Sequence, residues 1–258
     1  MAKSWTKFSH ADKAYSYDGA ALKKHWDRLH RGDCEPLPKD AAVLEAWRHY
    51  HAGDFRAAVD AGMATGGFGI NAAVKAQAIY ANYLEKAEKA KLALLEEAAE
   101  WANDRRATAP KDANAHYLYA YALGRYGQGI SVVKALAQGF GGKVKDALTT
   151  ALKLAPSHAD AHIAYGAYQA EVVNKVGALV AGMTYGAKKD SALEHFQKAA
   201  KLNPDSAIAR IEHANGLILL FGKERLDEAT RLYEQAAKMK PMDAMERLDV
   251  ELAKSELS

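Results

Sequence analysis

The sequence predicts an all-α, right-handed helical solenoid with elongated insertions in its two inner repeats and a capping helix at its C-terminus. Three observations carry that prediction. Ala-rich helical runs close on Pro110, Pro156, Pro204 and Pro241, each followed by another such run, and self-similarity at a spacing of roughly 35 to 50 residues marks helical repeats. From Lys39 onward apolar residues recur at spacings of three and four, the period of an amphipathic helix. No stretch shows the alternation that a half-buried strand requires.

Residues 1–38 differ in texture from the rest. Trp5, Phe8, Tyr15, Tyr17 and Trp26 are spread through charged sequence that ends in Pro36-Leu37-Pro38. They read as a partly ordered N-terminal arm holding one short helix around Ala20 to His30. Residues 39–258 form the repeat domain, cut into helix pairs by glycines and prolines. The first pair is Ala41 to His51 and Phe55 to Ala64, split by Gly53-Asp54; the second is Ala72 to Ala87 and Ala90 to Thr108. The third runs from Ala113 to Arg125 and resumes at Val144 to Leu154, and the fourth from Ala159 to Val173, resuming at Ser191 to Leu202. Ala207 to Phe221 and Leu226 to Met239 make the fifth. Ala244 to Leu257, with acidic and basic residues interleaved, fits the polar cap that an open stack of repeats needs.

The pair endings share a motif: Lys153-Leu154-Ala155-Pro156, Lys201-Leu202-Asn203-Pro204 and Lys238-Met239-Lys240-Pro241. Upstream of each stand Ala151, Ala199 and Ala236, with Leu148, Phe196 or Tyr233 three residues earlier. Small residues let antiparallel helices approach, and the large one fills the space toward the next repeat. This pattern resembles the second helix of a tetratricopeptide repeat (TPR) over about Ala72 to Pro241. The first helices depart from that family, since its usual Trp is replaced by His116, His162 or Arg210.

Two insertions separate the helices of the third and fourth pairs: residues 126–142, YGQGISVVKALAQGFGG, and residues 172–187, VVNKVGALVAGMTYGA. Each is apolar, broken by glycines and carries a single Lys, so exposing either to water would leave an unusually large apolar patch. They form a second small core, or a mouth for an apolar ligand, a membrane-facing edge or an oligomer contact. Their placement is similar to that in the regulator of microtubule dynamics family of TPR proteins and its bacterial relatives. That resemblance covers about Tyr117 to Ala237 and rests on Gly129 to Leu148, Leu154-Ala155-Pro156 with Ala161-His162, and Leu193 to Pro204. It implies association with organelle contacts, lipids or microtubules. Bacterial TPR proteins that accompany transporters for small organic acids are similar in outline, and imply a helical scaffold handling a hydrophobic ligand.

The TPR resemblance implies a concave face lined by the first helices: Asn114, Tyr117 and Tyr121 in the third repeat, Ile163 and Ala167 in the fourth, and Ile208, Ile211, Asn215 and Ile218 in the fifth. Such a lining lacks the Lys and Asn set that clamps a peptide carboxylate, which argues against an acidic C-terminal tail as ligand. Apolar surface left in water costs about 25 cal/mol per Å². The groove therefore calls for the chain's own arm, a neighbouring helix, a partner helix or a lipid-like molecule.

Other chemistry finds little support. His158 and His162 stand four apart with Asp160 between them, a spacing that could serve a metal, but no third ligand is near in sequence and His158 falls at a helix start. The run Gly124, Gly127, Gly129 lacks the preceding strand and the Lys-Ser or Lys-Thr of a phosphate loop. Gly129-Ile130-Ser131 lacks the second glycine of a nucleophile elbow. Of the 258 residues 49% are hydrophobic, enough for a substantial core. The balance of 35 basic and 32 acidic residues argues against nucleic acid. One cysteine, Cys34, and the want of a signal peptide or membrane span point to the cytoplasm. The expected role is a non-enzymatic scaffold, without cofactor or metal, that binds a protein or peptide partner in an apolar concave groove. The alternative is a carrier of a hydrophobic, lipid-like small molecule that uses the insertions, and an oligomer fits either role.

Overall fold

The computed structural model describes residues 5–258; Met1 to Ser4, the tip of the expected arm, lie outside the described residues. It is all-helical among those residues. The elements are α1 (Gly19–Leu29), α2 (Ala41–Ala52), α3 (Phe55–Thr65), α4 (Gly69–Tyr83), α5 (Glu88–Thr108), α6 (Ala113–Ile130) and α7 (Val132–Ala137). They continue as α8 (Phe140–Leu154), α9 (Ala159–Val176), the single turn α10 (Ala178–Val180), α11 (Lys189–Leu202), α12 (Ala207–Phe221), α13 (Leu226–Ala237) and α14 (Ala244–Ser255).

Each repeat linker works in the same way. Two residues after Pro110, Pro156, Pro204 and Pro241 come Asp112, His158, Ser206 and Asp243, and the side chain of each accepts a backbone N–H from the first turn of the next helix. Proline ends one helix and a capping acceptor starts the next. The residues that replace the family's Trp anchor the same linkers: His116 bonds the Pro110 carbonyl at 3.0 Å and His162 the Pro156 carbonyl at 3.2 Å, each six residues back. Arg210, at the equivalent place, donates to the Ser206 carbonyl instead. The alanines and large residues of the repeat motif are buried as that motif requires, with Ala151, Ala199, Ala236, Leu148 and Phe196 all fully enclosed.

The inner helices close on themselves. In the order α2, α4, α6, α9, α12 and α14 each packs on the next, and α14 returns to α2. The last helix does cap α13, through Val250 and Ala253. Its other face puts Ala244 and Leu248 into the core formed by Leu22, Trp26, Trp47 and Tyr50. Polar contacts span the same seam: the Tyr17 hydroxyl donates to the Met242 carbonyl (2.8 Å), Arg28 pairs with Glu246 (2.6 Å) and Tyr83 donates to Asp249 (2.6 Å).

Residues 5–38 belong to this closure. Trp5 stacks on Tyr80 with ring centroids 3.8 Å apart, and Phe8, Tyr15, Tyr17 and Trp26 are buried in the core that receives α14. At Cys34 the backbone enters the left-handed region (φ 53°), which lets its two neighbours Asp33 and Glu35 both point inward.

Phe196 shows how tightly the repeats are fitted. Its ring lies between Gly166 of α9 and Gly216 of α12, and a Cβ at either glycine would overlap it. Because Gly166 blocks retreat on the other side, Gly216→Ala is expected to cost about 1–3 kcal/mol by overpacking, read as a lowered urea midpoint with an unchanged slope.

Candidate functional site

The ring of inner helices encloses a lumen of about 200 Å³, lined by side chains from all six of them. Its two ends differ in chemistry. At one end the starts of α4, α6, α9, α12 and α14 converge on the strap formed by residues 29–35. Helix starts present unpaired N–H groups and partial positive charge. The strap places two buried acids, Asp33 and Glu35, at this end. Asp33 accepts from the Lys75 ammonium (2.5 Å) and His30 Nδ1–H (2.9 Å), while Glu35 Oε2 accepts from Asn114 (2.6 Å) and Asn71 (3.3 Å). The Asp160 amide at the start of α9 donates to the Gly32 carbonyl (2.9 Å), and Arg31 pairs with Asp205 beside α12 (2.7 Å).

Burial and pairing divide these acids. Burial pushes Asp33 up, but the Lys75 and His30 charges outweigh it and hold the carboxyl well below the ordinary range. Burial pulls Lys75 down, and Asp33 and Asp160 more than restore it. Glu35 is raised well above its usual value by burial and by the nearby Asp33 and Asp112 charges, and its Oε1 has no hydrogen-bond partner. Asp160 rises to about 6, again mainly through burial.

A chain of four groups runs from this strap to the last helix. His30 Nδ1 meets Asp33, His30 Nε2 meets His51 Nε2 at 3.2 Å, and His51 Nδ1 meets Asp243 at 2.7 Å. Three hydrogen bonds need three protons, one more than two neutral imidazoles supply. Burial pushes His30 down to about 4.

Midway along the lumen Arg125 of α6 pairs with Glu212 of α12 (2.6 Å) and lies over the Tyr121 ring, while Tyr83 binds Asp249. Beyond them the walls become apolar. The short helix α7 covers this end, with Val132, Ala135 and Leu136 facing the lumen opposite Val144, Tyr168 and Val172. Gly127 and Gly141 allow the cover to sit close: a Cβ on Gly127 would meet Ala135 at 3.0 Å, and one on Gly141 would meet Leu136 at 2.6 Å. The second insertion backs this cover, burying Ala181 and Ala187 with Val172, Val173 and Phe196, and packing Tyr185 onto the same cluster. The insertions thus make a second core and also wall the lumen.

Of the residues expected to line a groove, Tyr117, Tyr121, Ile163, Ala167 and Ile208 do face this common space. Asn215 and Ile218 do not. They border an adjoining, more polar depression that shares Arg125, Gln128, Val132, Ala167, Glu171 and Glu212 with the lumen, and there Asn215 accepts from the Tyr233 hydroxyl. Two further expectations are corrected. Ile211 is 1% exposed and packs in the core between α12, α13 and α14. Asn114 is a structural tie, donating to Glu35 and accepting from His158 Nε2–H (2.9 Å). His158 and His162 part company: His158 turns inward to Asn114, and His162 meets His195 at 2.7 Å.

The sequence reading did not single out Asp33, Lys75, Arg125, Glu212, Asp243 or Asp249. Their signal is nonetheless present. Lys75 is the only charge in α4 and Arg125 the only Lys, Arg, Asp or Glu in α6. A lone charge on an otherwise apolar helix implies a buried partner.

A family model described as "Regulator of microtubule dynamics protein 1-3" matches residues 72–257. Among solved structures, the thermophilic TPR protein TTC0263 of Thermus thermophilus is similar in fold, with a TM-score of 0.56 at 18% sequence identity. The match covers 83% of this chain and 97% of that one. No curated protein gives a significant match.

Two outcomes test the site's electrostatics. Lys75→Met strands Asp33 and Asp160, and is expected to cost about 3–5 kcal/mol in urea unfolding. His158 caps α9 through Nδ1 while donating from Nε2, so only its neutral form fits, and burial lowers it to about 4. Between pH 4 and 6.5 the unfolded chain then binds more protons, and this group's contribution, on the order of 3 kcal/mol, is full above pH 6.5 and lost as pH falls toward 4. His158→Asn keeps a cap that does not titrate, and its stability should fall less steeply than the wild type's over that window.

Proposed function

The chain belongs to the regulator of microtubule dynamics protein 1-3 family, and from that premise we propose that it is a non-enzymatic binding scaffold whose lumen takes an apolar or amphipathic small molecule. The lumen itself is the observation that carries this reading. Its volume of about 200 Å³ exceeds the roughly 150 Å³ of a cavity that accepts benzene. Apolar walls under α7 suit a hydrocarbon segment, and the Arg125, Glu212, Tyr121 and Tyr83 groups beyond them suit a polar end.

A helical solenoid of this kind also serves as a scaffold for protein partners, and the outer surface is free for that role. The lumen is a poor seat for a partner helix. With its side chains a helix is about 10–12 Å across, and α14 already occupies the inner ring. The solitary cysteine, Cys34, supports placing this activity in the reducing cytoplasm.

Native mass spectrometry of protein purified without detergent is expected to show a small molecule retained without a covalent bond. Ala167→Trp, filling the lumen from α9, should abolish its retention and leave circular dichroism unchanged. A bare chain mass, combined with no binding of a fluorescent fatty-acid analogue, would refute the reading. Capture of a helical peptide with loss of the α14 contacts would replace it with the partner-helix role.

A further inference from the structure

Charge is segregated along this chain in a way the lumen does not explain. Residues 126–145 and 172–189 contain Lys134, Lys143, Lys145, Lys175, Lys188 and Lys189 and no Asp or Glu. Those two stretches therefore carry +6, and the remaining chain −3, within a total of +3. The nearest acids in sequence, Asp146, Glu171 and Asp190, lie on the flanking helices. Lys134, Lys143, Lys175 and Lys188 are exposed, whereas Lys189 is engaged with the Leu220 carbonyl.

The same two stretches hold the most exposed large apolar side chains among the described residues: Met183 at 81%, Leu179 at 76% and Val133 at 59%. The segment 178–185 turns between Gly177 (φ 79°) and Gly186 (φ 66°), tucking Ala181 into the core and turning Leu179, Val180 and Met183 out to solvent. Leu179 and Met183, four apart, share a helical face. The stretches also lie side by side: a Cβ on Gly141 would meet Tyr185 at 3.3 Å, and one on Gly186 would meet Lys145 Nζ at 2.9 Å.

We propose that this end of the molecule docks on an anionic lipid bilayer, with Leu179, Val180 and Met183 entering the interface and the lysines meeting lipid headgroups. Protruding apolar tips ringed by cations suit shallow insertion in a headgroup layer. Each Lys near an anionic leaflet contributes about 1 kcal/mol. The docking surface is separate from the lumen and does not require the lumen to be filled, although the apolar cover α7 carries both Val133 outside and Leu136 within.

The test is flotation of the full chain with vesicles of phosphatidylcholine alone or of phosphatidylcholine with phosphatidylserine. Binding is expected only to the phosphatidylserine vesicles and should weaken as salt is raised. Leu179→Glu with Met183→Glu, and separately Lys134→Glu with Lys188→Glu, should each reduce binding about tenfold or more. All four side chains are exposed, so circular dichroism and ligand retention in native mass spectrometry should stay at wild-type levels, which separates failure here from failure of the lumen reading. Absence of binding to either vesicle, or binding that the Leu179 and Met183 changes leave intact, would overturn the proposal. So would a dimer, seen in size exclusion without vesicle binding, that those changes dissolve; this would assign the patch to a second copy of the chain.

Discussion

Asp243 couples the two halves of this fold. Its Oδ1 accepts the Glu246 amide at 2.7 Å and so starts the last helix, while its Oδ2 accepts from His51 at 2.7 Å and so ties that helix to the first pair. Helix start and ring closure depend on one carboxylate. Through His51 the tie continues to His30, then to Asp33 and Lys75, so the seam, the strap and the floor of the lumen share one buried network. Breaking a buried pair is costly because the abandoned charge stays in low dielectric. Such a network admits one arrangement of strap and last helix, and the lumen's shape follows from it.

The strap gives the ring a polarity. Four of the five helix starts are capped by Asp112, His158, Ser206 and Asp243, and the strap adds Asp33, paired with Lys75, and Glu35, held by Asn71 and Asn114. The opposite end needs no carboxylate and receives the apolar cover α7. The lumen thus runs from a polar floor at Asp33, Lys75 and Glu35 to an apolar roof under α7.

What could be read in the sequence was local and repeated. The motif of Ala151, Ala199 and Ala236 with Leu148, Phe196 and Tyr233 recurs at fixed offsets, and every member is buried. Facing within a first helix was harder to read. Ile208 reaches the lumen, but three residues on a helix has turned by about 300°, which puts Ile211 on the flank against α13. The insertions extend their helices further than expected, α6 to Ile130 and α9 to Val176, because their apolar residues pack on one another and stabilise extra turns. Ring closure was beyond sequence reading. It is made by single contacts such as Tyr17 to Met242 and His51 to Asp243, which no period or motif announces.

Those contacts join residues 225 and 192 positions apart. An open stack of repeats folds by adding each unit to the one before, each contact being short in sequence. Here the first helices lack their final partner until α14 has been synthesised. Closing a loop of that length costs entropy that grows only slowly with length, but it must be met before the seam's contacts form. The N-terminal residues thus wait on a segment made after all five helix pairs, and loss of α14 alone would leave Trp26, Trp47 and Tyr50 with an open flank at the opposite end of the sequence.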